Sequence, residues 1–220
     1  MGQEAADAGL LQLLAKARAA QAEWAQADQR TIDLAVREIA RTVFDNAEEL
    51  ARITVEETKL GGYEFNLEQD RRKAEIIWND LRGKKSVGII NRDEARGLIE
   101  IAKPIGVVGA VLPLTIPVTN TMSNGMFSVK CANAVIYAPH PRAKNTVRRT
   151  LDLVLERLAP LGVPENLLQM LEEPSIDLTR QLMSLVDVTV ATGGVGMVKS
   201  AYSSGKPAYG VGPGNVQAII

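Results

Sequence analysis

From Pro104 onward the sequence alternates short apolar runs with helix-length amphipathic segments, and that alternation admits few folds. Ile105–Leu112, Ala134–Ala138, Leu167–Leu171, Val186–Ala191 and Ala208–Val211 read as strands. Between them, Val118–Ala132, Lys144–Leu161, Ile176–Leu185 and Val195–Ser204 read as helices. Strands joined through helices of this length form a parallel sheet with right-handed crossovers, and the helices cover both of its faces. The strands are therefore nearly unbroken apolar runs, because neither face meets water. The predicted class is α/β, and such sheets take ligands at the carboxyl ends of their strands.

Two other segments precede this unit. From about Ala5 to Leu60 apolar residues recur at helical spacing, as in Ile32, Val36, Ile39 and Val43, and predict two or three amphipathic helices. Asp28 is placed to cap the helix beginning near Arg30, Asp45 or Asn46 to cap the next, and Gly61–Gly62 to end the series. A further helix is predicted over Leu67–Leu81, with Ile76, Ile77 and Leu81 facing the core. Then Ser86–Lys103 changes character: SVGII and LIEIA are β-prone runs separated by a polar segment, a strand pair suited either to pairing between chains or to packing on its own domain. The expected organisation is a helical segment over 1–85, a strand pair over 86–103 that is a candidate oligomerisation element, and an α/β domain over 104–220.

Composition narrows the ligands. With 25 basic and 26 acidic residues the charges nearly cancel, which argues against a nucleic-acid footprint or a polybasic membrane anchor. No apolar stretch approaches the roughly 20 residues that cross a bilayer, and the N-terminus lacks a basic region followed by an apolar core, so a cytoplasmic location is expected. One cysteine and one histidine cannot build a metal cluster, and no metal site is expected.

The strand ends carry the chemistry. Pro113-Leu114-Thr115-Ile116-Pro117 fixes a non-helical turn, since each proline locks φ and disfavours helix in the residue before it. Ala138-Pro139-His140-Pro141-Arg142 makes a second rigid loop, with His140 and Arg142 available to ribose or phosphate oxygens. Third, Ala191-Thr192-Gly193-Gly194-Val195-Gly196 joins a strand to a helix. Its glycines permit positive φ and close backbone approach, and the helix N-terminus offers N–H groups to a pyrophosphate. Gly212 follows the last strand. These residues are a candidate dinucleotide site in a Rossmann-like sheet, although neither G-x-G-x-x-G nor a Walker loop is present.

The run NAVIYAPHPRAK (Asn133–Lys144), the run ATGGVGMVKSAYSSGKPAYGVGPGN (Ala191–Asn215) and PSIDLT (Pro174–Thr179) together resemble the cofactor-binding part of the aldehyde dehydrogenase superfamily, specifically its CoA-acylating branch. The resemblance extends to the N-terminal helices and the strand pair. It implies NAD or NADP as cofactor, CoA as co-substrate, a small aldehyde as substrate, and cofactor contacts at Pro113, Leu114, Thr115, Pro139, His140, Arg142, Gly193, Gly194, Val195 and Gly212. In such enzymes a cysteine thiolate attacks the aldehyde, hydride passes to nicotinamide, and a thioester is resolved. Hydrolytic members resolve it with a glutamate at the end of the strand that corresponds to Ala208–Val211, where this chain has glycine, so the thioester is left for CoA.

The chain departs from the family pattern in two places. Ile116 stands where the branch commonly has asparagine, and the nucleophilic cysteine would lie beyond Ile220. Cys131, near a helix end, is expected to be a buried structural thiol rather than the nucleophile, so no catalytic residue is assigned. The leading expectation is therefore the cofactor-binding portion of an acylating aldehyde dehydrogenase, lacking the catalytic domain and inactive by itself. Apolar surface left open without that domain predicts a homo-oligomer. A non-catalytic dinucleotide-binding or assembly protein of the same descent is the alternative, and a free-standing Rossmann dehydrogenase ranks last because no acid/base constellation marks the strand ends. Thr119, Asn120, Ser123 and Asn124 suggest a short or polar substrate, and Arg142 and Lys144 are candidates to meet a 2′-phosphate.

Overall fold

A computed structural model describes residues 7–214 and Ala218. Three helices open the chain: α1 (Ala8–Trp24), α2 (Gln29–Asp45) and α3 (Ala47–Thr58). Asp28 caps α2 by accepting the Thr31 N–H at 2.7 Å. Asn46 begins α3 without a side-chain cap, because its amide donates backwards to the Thr42 carbonyl. The predicted Gly61–Gly62 stop is displaced: Lys59 ends α3 in the left-handed region, and Gly62 instead opens α4 (Tyr63–Leu81). That helix starts a turn earlier than its apolar pattern suggested. Of the three residues expected on its inner face, Ile77 and Leu81 pack against the core, but Ile76 is exposed.

The strand pair is β1 (Gly88–Asp93) with β2 (Leu98–Ala102), antiparallel and forming its own two-stranded sheet. Gln29 tethers its base to α2 by accepting the Ser86 N–H at 2.7 Å. Beyond that tether Ile89, Ile90, Leu98, Ile99 and Ile101 are all exposed, so the pair does not pack on its own domain.

The main sheet contains β3 (Val107–Val111), β4 (Ala134–Ala138), β5 (Leu168–Met170), β6 (Val188–Thr192) and β7 (Ala208–Val211). All its pairings are parallel, in the order β5-β4-β3-β6-β7. The connecting helices are α5 (Pro117–Lys130), α6 (Lys144–Leu158), α7 (Ile176–Leu185) and α8 (Val195–Tyr202), with single 3-10 turns at Pro141–Ala143 and Ala159–Leu161. Order runs outward from β3 to β5, then returns across β3 to β6 and β7. Right-handed crossovers put α5 and α6 on one face and α7 and α8 on the other. Between β3 and β6 lies the reversal point where such sheets open a crevice. Ile105 is outside β3 and exposed, because Asn133 Oδ1 holds its N–H at 2.7 Å in the approach to the strand.

The core is one cluster. Every residue of β3 and β4 is buried, which the double cover of helices requires. Leu10, Leu14, Ala17, Ala20 and Trp24 of α1 face the sheet at helical spacing, and Ile32, Val36, Ile39 and Val43 of α2 are buried under α5 and α6. Two carboxylates pin elements together. Asp187 accepts the Val107 N–H at 2.8 Å and a bidentate Arg18 from α1, and Glu57 of α3 accepts the Asn145 and Thr146 N–H groups at the start of α6.

Candidate functional site

At the carboxyl edge of the sheet the ends of β3, β4, β6 and β7 and the beginning of α7 enclose a cleft of about 650 Å³. Each strand leaves it differently. The Leu112 N–H still reaches the Ala138 carbonyl at 3.0 Å, and the chain then turns through Pro113–Ile116 into α5, with Pro117 at its first position, where proline is tolerated. Pro113, Leu114 and exposed Thr115 form this wall. Ile116 is half-buried and gives α5 no side-chain cap, so the polar function an asparagine would bring is missing.

The second wall is Pro139, His140 and Pro141. His140 Nδ1 accepts the Arg142 N–H at 3.1 Å and so caps the 3-10 turn. Burial, followed by the nearby Arg142 charge, holds the imidazole pKa below its usual value. Arg142, expected in the site, is not part of the lining. Its guanidinium donates at 2.8 Å to the Thr58 carbonyl at the end of α3, where orphan helix carbonyls accept cations. Lys144 is likewise engaged, with Glu173 at 2.7 Å.

The third wall is Thr192, Gly193 and Gly194. Gly193 donates its N–H to the Val211 carbonyl at 3.1 Å and so carries the sheet one residue past β6. Neither glycine has positive φ, which corrects the conformational reason given for them. They serve by lacking a side chain: a Cβ on Gly194 or on Gly212 would stand in open space. Gly194 caps α8 with no side-chain hydrogen bond, and although the Met197 N–H already donates to the Gly194 carbonyl at 3.0 Å, the Val195 and Gly196 N–H groups are left for an anionic ligand. Helix α7, also at the rim, is capped by Ser175, whose Oγ accepts the Leu178 N–H at 3.1 Å. Val195 is 70 % exposed and faces a shallow groove beside Tyr202 rather than the cleft.

Eight of the ten expected residues thus line one cleft, and Arg142 and Val195 do not. Pro174, Ser175, Ile176 and Thr179 line it as well. Sequence reasoning did not assign them to the site, although Ser175 before an amphipathic run is a legible cap. Among the described residues the lining holds no carboxylate, and His140 is its one titratable side chain. A dinucleotide fits these features: apolar and proline walls for flat rings, backbone donors at α8 for a pyrophosphate, and two glycines that leave the main chain bare.

Several expectations elsewhere change. Cys131 is not buried; it is exposed at the C-cap of α5, though the surface under it still desolvates the thiolate and raises the thiol pKa. It lies at the far end of a 14-residue helix from the cleft, about 20 Å along the axis. Three of the four α5 residues that suggested a polar substrate are used within the fold: Thr119 donates to Asp70 Oδ1 at 2.9 Å, Asn120 to the Ile116 carbonyl at 3.2 Å, and Ser123 to the Asn120 carbonyl at 3.4 Å. Asn124 is buried with no hydrogen-bond partner for its Nδ2 among the described residues. Asn215 lies outside the described residues. No group of acidic, histidine or cysteine residues able to hold a metal occurs among the described residues, and none of the helices there is long and apolar enough to cross a membrane.

Comparison with known proteins agrees with the geometry. Residues 2–207 match the aldehyde dehydrogenase family. The succinate-semialdehyde dehydrogenase (acetylating) of Clostridium kluyveri is 44 % identical over 214 residues, covering 97 % of this chain and 47 % of that protein. Among solved structures, an acetylating aldehyde dehydrogenase from Geobacillus thermoglucosidasius superposes with a TM-score of 0.92 at 38 % identity, over 94 % of this chain and 46 % of that one. The propionaldehyde dehydrogenase of Rhodopseudomonas palustris, solved with bound CoA and an acylated cysteine, superposes with a TM-score of 0.80 at 32 % identity, over 91 % and 46 %. The chain spans about half the length of these three proteins. It belongs to the aldehyde dehydrogenase family, in its CoA-acylating branch.

Proposed function

We propose that this chain is the nucleotide-binding portion of an enzyme that oxidises a small aldehyde to an acyl-CoA with NAD or NADP. The observation that carries this reading is the cleft at the sheet's reversal point, where the uncapped start of α8 and the bare backbone of Gly193 and Gly194 face apolar walls. In it, α8 holds the pyrophosphate by backbone N–H groups and its dipole. The proline-bracketed turn after β3 and the apolar side chains of the cleft exclude water from the ring that accepts hydride.

The glycine-rich end of β7 supports acyl transfer over hydrolysis. Gly212, the residue after the strand, lines the cleft without a side chain, and no carboxylate of the described residues lines the cleft to activate water against a thioester. The nucleophile is not supplied by Cys131, which lies outside the cleft lining. The exposed β1–β2 pair is the proposed homo-oligomerisation element.

The test is calorimetric titration with NAD and NADP beside an assay for NAD(P)H formation from short aldehydes plus CoA. Nucleotide binding without turnover supports a cofactor module whose catalytic residues lie elsewhere. Binding with CoA-dependent turnover would show that the chain suffices, and absence of nucleotide binding would favour the assembly reading.

A further inference from the structure

The cleft is chemically one-sided in a way that bears on which nucleotide it accepts. Sites of this architecture that select NAD place an acid against the adenosine ribose hydroxyls, and that charge repels a 2′-phosphate. Here the end of β4 presents Pro139, His140 and Pro141, and among the described residues no carboxylate lines the cleft at all. Two carboxylates from other elements that reach the start of α6 are engaged there: Glu57 of α3 receives the Asn145 and Thr146 N–H groups, and Glu173, which follows β5, is paired with Lys144 at 2.7 Å. Neither is free to receive a ribose hydroxyl without breaking those bonds.

His140 is aimed by its own loop. Because Nδ1 accepts the Arg142 N–H, the neutral ring carries its proton on Nε2. The imidazole pKa is lowered by burial and by Arg142, so the ring is uncharged at mildly alkaline pH and Nε2 remains a donor. A donor of this kind serves a ribose hydroxyl and a phosphate oxygen alike.

We propose that the cleft admits 2′-hydroxyl and 2′-phosphorylated dinucleotides with similar affinity, and that His140 Nε2–H is the group that meets the ribose substituent. The inference rests on the nucleotide-binding reading above. Its test is titration of the protein with NAD, NADP, 5′-ADP and 2′,5′-ADP at about pH 8, where the ring is neutral. Within each pair the two dissociation constants are expected to agree within about tenfold. A phosphorylated ligand that binds more weakly than that, while its counterpart binds, overturns the inference and leaves the nucleotide reading standing. Failure of all four to bind removes that reading and the inference with it. His140→Asp keeps an acceptor for the Arg142 N–H but puts a carboxylate in the cleft. It is expected to weaken NADP by about tenfold or more while changing NAD by less than about threefold. Equal loss for both nucleotides, in a variant whose melting curve matches the parent, would remove His140 from this role.

Discussion

Asp70 is almost fully buried between α4 and α5, and desolvation pushes its pKa to about 7 despite the hydrogen bond donated by Thr119. A carboxyl whose folded pKa lies above its unfolded value keeps its proton in the native state while the unfolded chain ionises. The contribution of Asp70 to stability is therefore greatest below the unfolded value of 3.8, falls as pH rises toward about 7, and is flat above that. The loss is of order 4 kcal/mol at most. Asp70→Asn mimics the protonated form and is expected to abolish this slope and to stabilise the protein at pH 8, as urea midpoints at several pH values will show. Gly106 makes a sharper case. Its φ is +131°, and a Cβ there would lie 2.3 Å from the Asp187 carboxylate that holds Arg18 and the Val107 N–H. Gly106→Ala should cost more than about 3 kcal/mol in denaturant unfolding. Residue details of this kind were not legible beforehand. Nothing in the pattern around Asp70 reveals a partner 49 positions away, and Cys131 was misplaced because a helix-end residue can face either way.

Among the elements, the start of α8 carries the strongest consequence. Gly194 has extended backbone, φ −66° and ψ 163°, with open space around it, so aspartate fits there and would cap the helix. Gly194→Asp is expected to leave the protein as stable as before, or more stable by about 1 kcal/mol, while its carboxylate occupies the donors that the nucleotide needs. Nucleotide affinity should fall at least about tenfold by calorimetry. Unchanged affinity would mean that α8 does not hold the pyrophosphate. Helix α6 depends on a cap that sequence cannot show: its own N-cap, Ala143, makes none, and Glu57 from α3 supplies it. Glu57→Ala should lower the thermal midpoint by the equivalent of about 1–2 kcal/mol. The element types were readable because strands and helices differ in period. The boundary of α4 was not, since its first turn begins with Tyr63, Glu64 and Phe65, and Phe65 is 58 % exposed.

At the scale of the molecule, exposed apolar side chains of the described residues form two clusters that bear on assembly. One is the β1–β2 pair, and the other is the outer edge of the sheet, where Tyr202, Tyr209 and Val211 are all more than half exposed. We expect concentration-dependent self-association by light scattering, and Ile99→Lys combined with Ile101→Lys should shift it toward smaller species without unfolding the sheet. A monomer over a wide concentration range would rule this out.

Period and punctuation in the sequence were enough for the parallel sheet, the order of its elements along the chain and the prolines and glycines at its strand ends, because these are consequences of local backbone and burial chemistry. Which strand ends meet was decided by the fold. Only the reversal of strand order at β3 brings the turns after β3, β4, β6 and β7 to one cleft. The fold also turned Arg142 away to Thr58 and Val195 outward, since a side chain goes to the partner that tertiary packing places within its reach, and that placement is not written in the local pattern.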